Sequence, residues 1–405
     1  MAMAADTTEQ RPLPRTLAGA TVLQILPALH DSPQARTTIS TARALVQVGA
    51  RVIVAGEHGE LVDELKSFGG EWLPFASATM NPARLRANAE TLDTFVATEH
   101  IAIVHAKSPG AAWSASIATR RNGVHLVTEL PDLPPRRMWL ATFYLGSLSR
   151  GDRLISHSLF NARPMIKRYR IPPERISVVP RSIDLRYFNP AKVPAERVIR
   201  LRQVWGIPHG ARIALVPGRV APPNGHLVLA RAARILADHG MRNVTFVLVG
   251  DDRRYRRYAR RFWKAAQAAS VDALFRMVGY HEDMPASYAA ADFVVVPYTS
   301  PPIYGRVVAE AQAMARPVIA SSVGPLAENM MTPPRMPDEL RTGWEVKPGD
   351  PAELAQAIET ALALDADDYR AHAARARQFA EYSFSPNRAA AAALEIYLSL
   401  LESEG

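Results

Sequence analysis

The segment VPYTSPPIYGRVVAEAQAMARPVIAS, Val296 to Ser321, carries the pattern best suited to chemistry. An apolar strand ends at Tyr298, a loop with Pro301, Pro302 and Gly305 follows, and a helix opens near Val307. The unpaired N–H groups of that helix start could hold a pyrophosphate, and Glu310, inside the first turns, could accept two ribose hydroxyls. The plainer alternative is that Glu310 is an acid favourably placed near a helix N-terminus. Asp251 and Asp252 follow the apolar run FVLVG, and Gly279 with Tyr280 closes another, so both pairs stand at strand ends where a nucleotide could be met. His105 and Lys107 close IAIVHAK in the same way, and His105 reads either as a cleft residue or as a satisfied structural one.

The elements that must position these residues are short apolar strands alternating with helical stretches. TVLQILPAL, RVIVAG, EWLPF, IAIVHA, HLVTEL, RLISHS and ISVVP form a first series; ARIALVPG, VTFVLVGD, LFRMVGY, DFVVVPY and RPVIASS form a second. Strands apolar on both faces and interleaved with helices predict parallel sheets covered on both sides. The boundaries expected are a disordered lead-in at 1–19, an N-terminal Rossmann-like domain at 20–190, a linker at 191–210, and a C-terminal nucleotide-binding domain at 211–380. A helix at 381–405 is expected to pack across the domain junction. Ligands of such sheets sit at the carboxyl ends of the strands, so a nucleotide or sugar phosphate is expected between the domains.

With 405 residues and 48% hydrophobic residues, the chain can bury two cores of ordinary size. No cysteine occurs, which excludes disulfides, a thiolate nucleophile and thiolate metal sites. Lys and Arg number 48 against 39 Asp and Glu, a net charge of +9 that favours anionic partners. Part of that charge is concentrated in DDRRYRRYARRFWKAAQ. There Arg253, Arg256, Arg257, Arg260 and Arg261 recur at helical spacing as one basic stripe, with Tyr255, Tyr258, Phe262 and Trp263 interleaved. The stripe reads as a solvated face, or as a surface for an anionic membrane or an acidic protein partner; no nucleic-acid module accompanies it. The lead-in has no apolar core of the secretory kind, and no run of about 18 apolar residues occurs, so the location expected is the cytoplasm, peripherally at the inner membrane face.

Taken together, these strings resemble the GT-B glycosyltransferases of family 4, retaining and metal-independent enzymes that use nucleotide sugars. The resemblance runs over nearly the whole chain, through ILPAL, GDRLISHSLFNARPMIKRYRIPPERISVVPRSIDLRYFNP, LVPGRV, FVLVGDD, DMPASYAAADFVVVP, GRVVAEAQAMARPVIAS and TGWEVKPGDPAELAQAI. It implies an α/β GT-B fold, two doubly wound Rossmann-like domains facing each other across a cleft. It implies catalytic roles for Arg219, Asn224 and Glu310, and a donor held by Gly218, Asp251, Gly279, Tyr280, Gly305, Arg306 and Val307. No cofactor and no metal are expected, and the partners implied are a nucleotide sugar and a glycan or glycolipid acceptor of the kind used in polysaccharide or lipopolysaccharide synthesis.

The chain departs from the family pattern at four places. The first of two glutamates, seven residues before the second, falls on Pro302; the lysine expected before Gly225 is Asn224. A glycine pair is expected near Ser32 to Thr37, where the chain reads SPQART, and a His-Gly pair aligns with Pro131 and Asp132. Three readings follow: a retaining hexosyltransferase-type enzyme, a pseudo-glycosyltransferase kept as a nucleotide-binding or regulatory partner, or an enzyme for another donor using residues such as Arg36 and Asp132. In the first, the leaving diphosphate itself helps deprotonate the acceptor hydroxyl, so the missing glutamate is not fatal.

Overall fold

The computed structural model describes residues 17–130, 144–241, 243–302 and 305–402. The chain divides into two compact units. The first runs to His157, resumes at Asn161–Ser182 and takes in the chain from Pro386; the second holds Ser158–Phe160 and Ile183–Ser385.

The first unit contains a parallel sheet of strands β1 (Thr21–Ala28), β2 (Arg51–Glu57), β3 (Glu71–Pro74), β4 (Ile101–Ala106), β5 (His125–Glu129), β6 (Arg153–Ser156) and β7 (Ile176–Val178). Their order is β3-β2-β1-β4-β5-β6-β7, reversing between β1 and β4. Successive residues of β1 point to opposite faces. Val22 and Leu26 pack with helix Pro33–Gln47 and with Leu394, Tyr397 and Leu400 of the last helix, Pro386–Leu401; Leu23 and Ile25 pack with helices Pro82–Thr98 and Pro109–Asn122. Both faces are covered, which is why the run carries no polar alternation. Three of these helices start on the same local signal, a polar cap followed by proline. Ser32, Asn81 and Ser108 each accept a backbone N–H of the first turn, and Pro33, Pro82 and Pro109 come next.

The second unit contains β8 (Arg212–Pro217), β9 (Val244–Val249), β10 (Phe275–Gly279), β11 (Phe293–Val296), β12 (Val318–Ser321) and β13 (Gly343–Val346), all parallel, in the order β10-β9-β8-β11-β12-β13. Here the order reverses between β8 and β11. Helices His226–Asp238, Arg256–Ala268 and Pro351–Ala363 cover one face, and Ala195–Val204, Met284–Ala290, Arg306–Ala313 and Ala366–Ser383 the other.

Several boundaries differ from expectation. Residues 191–210 are not a free linker: they carry helix Ala195–Val204, whose Leu201 and the following Trp205 are buried in the core of the second unit. The terminal helix starts at Pro386, since residues 381–383 end the preceding helix, and it is built into the first unit. Leu17 of the expected lead-in is fully buried, while residues 1–16 lie outside the described residues. The basic helix forms over Arg256–Ala268, but its aromatics are not interleaved on the outer face. Phe262 is buried and Tyr258 and Trp263 pack against the same core, leaving the arginines outward. Among the described residues no helix is long and apolar enough to cross a membrane.

Candidate functional site

Gly279 ends β10, and Gly218, Arg219, Asn224, Asp251, Tyr280, Gly305, Arg306, Val307 and Glu310 belong to the loops, or the helices they open, that follow β8, β9, β10 and β11, at the carboxyl edge of the second sheet. The loops are stitched to one another. Val220 N–H donates to the Asp251 carbonyl (3.1 Å), Gly250 N–H to that of Gly279 (2.8 Å) and Thr299 N–H to that of Pro223 (2.8 Å). Two glycines are required by this approach. A Cβ at Gly225 would lie 1.7 Å from the Pro297 carbonyl oxygen, and Gly305, at φ 63°, stands 2.9 Å from Asn329 Nδ2 by the same construction while capping helix Arg306–Ala313.

Glu310 is the charged centre of this edge and is only 8% exposed. Its Oε2 accepts from the Tyr288 hydroxyl at 3.0 Å, and its Oε1 lies 3.1 Å from Arg306. Burial pushes its carboxyl above the ordinary value, with Arg306 and Tyr288 pulling the other way. A carboxylate has about four acceptor positions, so each oxygen keeps capacity for a further donor. Tyr298 is buried beside it, and burial together with the Glu310 charge raises its phenol to about 12. Arg219 is exposed, and Asp251 pairs with Arg253 (3.1 Å).

Two of the substituted positions have visible local roles. Asn224 Nδ2 donates to the Arg219 carbonyl at 2.8 Å, so the amide closes the β8 loop where a lysine would present a charge. Pro301 and Pro302 lie over Gly324, where an added Cβ would come within 2.6 Å of Pro301 Cβ. In the first unit, Ser32 caps a helix, and Arg36 pairs with Asp31 (2.6 Å) instead of standing ready for a donor. Pro131 and Asp132 lie outside the described residues.

Sequence reasoning missed two features. Tyr187 is 49% exposed, donates to the Glu282 carbonyl (3.2 Å), and is influenced by the charge of Glu310 and by Tyr280, so it flanks the same edge. No local motif marks it, because it reaches the sheet from the start of the second unit.

The other is a buried ionisable cluster in the first unit. His105 is not a cleft residue: it is 1% exposed beneath the last helix, with Nδ1 2.6 Å from the Tyr397 hydroxyl. Burial first, and then the Lys107 charge, hold its imidazole well below the ordinary value. Lys107 and Glu129 are 6% and 7% exposed. Burial opposes the Glu129 charge, but Lys107 and the histidines outweigh it and hold its carboxyl well below the usual range. His157 directs Nδ1 to the Val179 carbonyl (2.9 Å) and Nε2 to Glu129 (3.3 Å), and Gln34 donates to Glu129 (3.2 Å). The cavity among them is about 20 Å³, room for about one water. Among the described residues no group of three or more His, Asp or Glu is placed to hold a metal ion.

Two family models match the chain, one in each half: Glycosyltransferase Family 4 over residues 34–187 and Glycosyl transferases group 1 over 211–363. The chain belongs to glycosyltransferase family 4. A D-inositol 3-phosphate glycosyltransferase of Salinispora arenicola is 31% identical over 62% of this chain and 55% of its own length, and one of Streptomyces scabiei is 31% identical over 62% and 54%. The chain thus spans about half the length of these curated relatives. A glycosyltransferase structure from Rickettsia africae superposes with a TM-score of 0.75 and 26% identity, over 95% of this chain and 99% of that one. Anabaena HepE in complex with UDP superposes at 0.68 with 19% identity, over 95% and 100%, a likeness of fold. The two Rossmann-like units of this family 4 member have the GT-B fold.

Proposed function

We propose that the protein is a retaining glycosyltransferase that takes a sugar from a nucleoside diphosphate donor to a hydroxyl of a cell-envelope glycan or glycolipid. The observation that carries the reading is the convergence of Gly218, Arg219, Gly279, Gly305 and the buried Glu310 on one carboxyl edge of the second sheet. Backbone N–H groups at the start of helix Arg306–Ala313 and the guanidinium of Arg219 are suited to the diphosphate, and the remaining acceptor capacity of Glu310 to ribose hydroxyls. In the step proposed, the bond from the anomeric carbon to the diphosphate breaks and the bond to the acceptor oxygen forms on the same face. The hydroxyl proton passes to the departing diphosphate oxygen, so the reaction balances without a protein base. Neither a metal nor another cofactor enters it.

A second reading, a catalytically impaired nucleotide-binding or regulatory protein, is favoured by one observation. Asn224 is spent on the Arg219 carbonyl, so one cation that would stabilise the leaving diphosphate is missing. Losing such a contact costs about 100- to 1000-fold in rate. The deciding assay is transfer from a panel of UDP-, GDP- and ADP-sugars, with inositol 3-phosphate among the acceptors because the relatives' name supplies it. Transfer or hydrolysis from one donor supports the enzyme; neither from any donor, with nucleotide binding intact, supports the second reading.

A further inference from the structure

Helix Arg256–Ala268 differs from the other charged helices in how its cations are placed. On several other helices arginines are paired with acids: Arg36 with Asp31, Arg43 with Glu64, Arg234 with Asp238, Arg377 with Glu381 and Arg370 with Asp367. On this helix Arg256, Arg257, Arg260, Arg261 and Lys264 are exposed and have no hydrogen-bonding or ion-pair partner among the described residues. The helix contains no acid. Arg256 and Arg260, Arg257 and Arg261, and Arg260 and Lys264 stand four apart, a spacing at which like charges weaken a helix. Arg256 and Arg257 also occupy the first turn, where the helix dipole disfavours cations. A face needing only water would be better served by mixed charge. The arrangement is locally unfavourable until an anion lies against it.

The kind of anion follows from what the face lacks. Specific protein interfaces are anchored by buried aromatic or apolar groups, and single-stranded nucleic acids by aromatic platforms. Here Phe262 is buried, and Tyr258 and Trp263 are turned to the core. None of the exposed large hydrophobic residues lies on this helix. What remains is a convex field of guanidinium groups, each able to grip phosphate oxygens by a fork of donors. A planar surface whose phosphates can rearrange laterally suits such a field better than a rigid partner would.

We infer that the outer face of helix Arg256–Ala268 docks the second unit on an anionic phospholipid surface. The contact is electrostatic and superficial, because the apolar side of the helix is already committed to the protein core. The inference does not depend on the donor chemistry above.

The test is sedimentation of the full chain with vesicles of equimolar phosphatidylglycerol and phosphatidylcholine, and with phosphatidylcholine alone. Binding to the first only, reversed by about 0.5 M salt, is expected. At about fivefold per cation, R256Q/R257Q/R260Q/R261Q lowers partition by two to three orders of magnitude. The lysine counterpart R256K/R257K/R260K/R261K retains most of it, and R84Q/R86Q, which removes exposed arginines of the first unit, leaves it unchanged. Thermal melting of each variant distinguishes lost docking from lost fold. Equal binding to both vesicle types, full binding by the glutamine variant when folded, or capture of poly-glutamate without any vesicle binding would overturn the inference.

Discussion

Glu129 in the first unit and Glu310 in the second are equally buried, at 7% and 8% exposure, yet their environments push them in opposite directions. Glu129 sits with Lys107, His157 and Gln34 and is held well below its ordinary value; Glu310 has Arg306 and Tyr288 but is held above it. In the first cluster the Glu129 charge is compensated by groups of its own unit around about one water's volume. The second leaves a carboxylate under-compensated at an open strand edge. A buried ion that its own fold satisfies is architecture, whereas one left short of donors is a place for a ligand to supply them.

The largest expected effect breaks the first side of this comparison. Glu129→Ala leaves Lys107 buried without its counter-charge and should cost about 3–5 kcal/mol by urea unfolding, while K107M/E129Q recovers most of that. A loss under about 1 kcal/mol would mean that the cluster is not a coupled pair. Next comes Asn224→Lys, which restores a cation at the diphosphate and should raise transfer on the order of 100-fold on the best donor. No gain would place the missing activity elsewhere.

Glu310→Gln sharpens the second side. A carboxyl raised above 4.5 in the fold binds its proton more tightly there than in the unfolded chain. The destabilisation caused by its ionisation is therefore absent well below 4.5 and complete once pH passes the folded value. The variant should be more stable than wild type by on the order of 1 kcal/mol at pH 7, and the gap should close on acidification. Glu129 has the opposite sign: its contribution is present above 4.5 and lost as pH falls toward its folded value. Smallest is Tyr397→Phe, which removes the partner of His105 and should cost about 1 kcal/mol in melting experiments.

The doubly wound sheets were legible in the sequence because each strand, such as IAIVHA or FVLVGD, is apolar on both faces, and that signal is local. The glycine-bearing strand ends were legible for the same reason. The Glu129 cluster was not, since it joins residues from Gln34 to Tyr397, and no spacing rule reports a contact such as that of His105 with Tyr397, 292 positions apart. Helix Ala195–Val204 read as linker because only Leu201 of its sequence is buried, too little apolar periodicity to announce it. The orientation of Tyr258 and Trp263 likewise depended on which side the sheet lay.

The most direct test of the central claim, that Glu310 is held for a nucleotide, is calorimetric titration of wild type and Glu310→Ala with UDP, GDP and ADP. The account predicts micromolar binding of one nucleotide by wild type and a loss of at least about tenfold, or 1.4 kcal/mol, in the variant. Equal affinity in the two proteins, or no binding of any nucleotide by wild type, would contradict it.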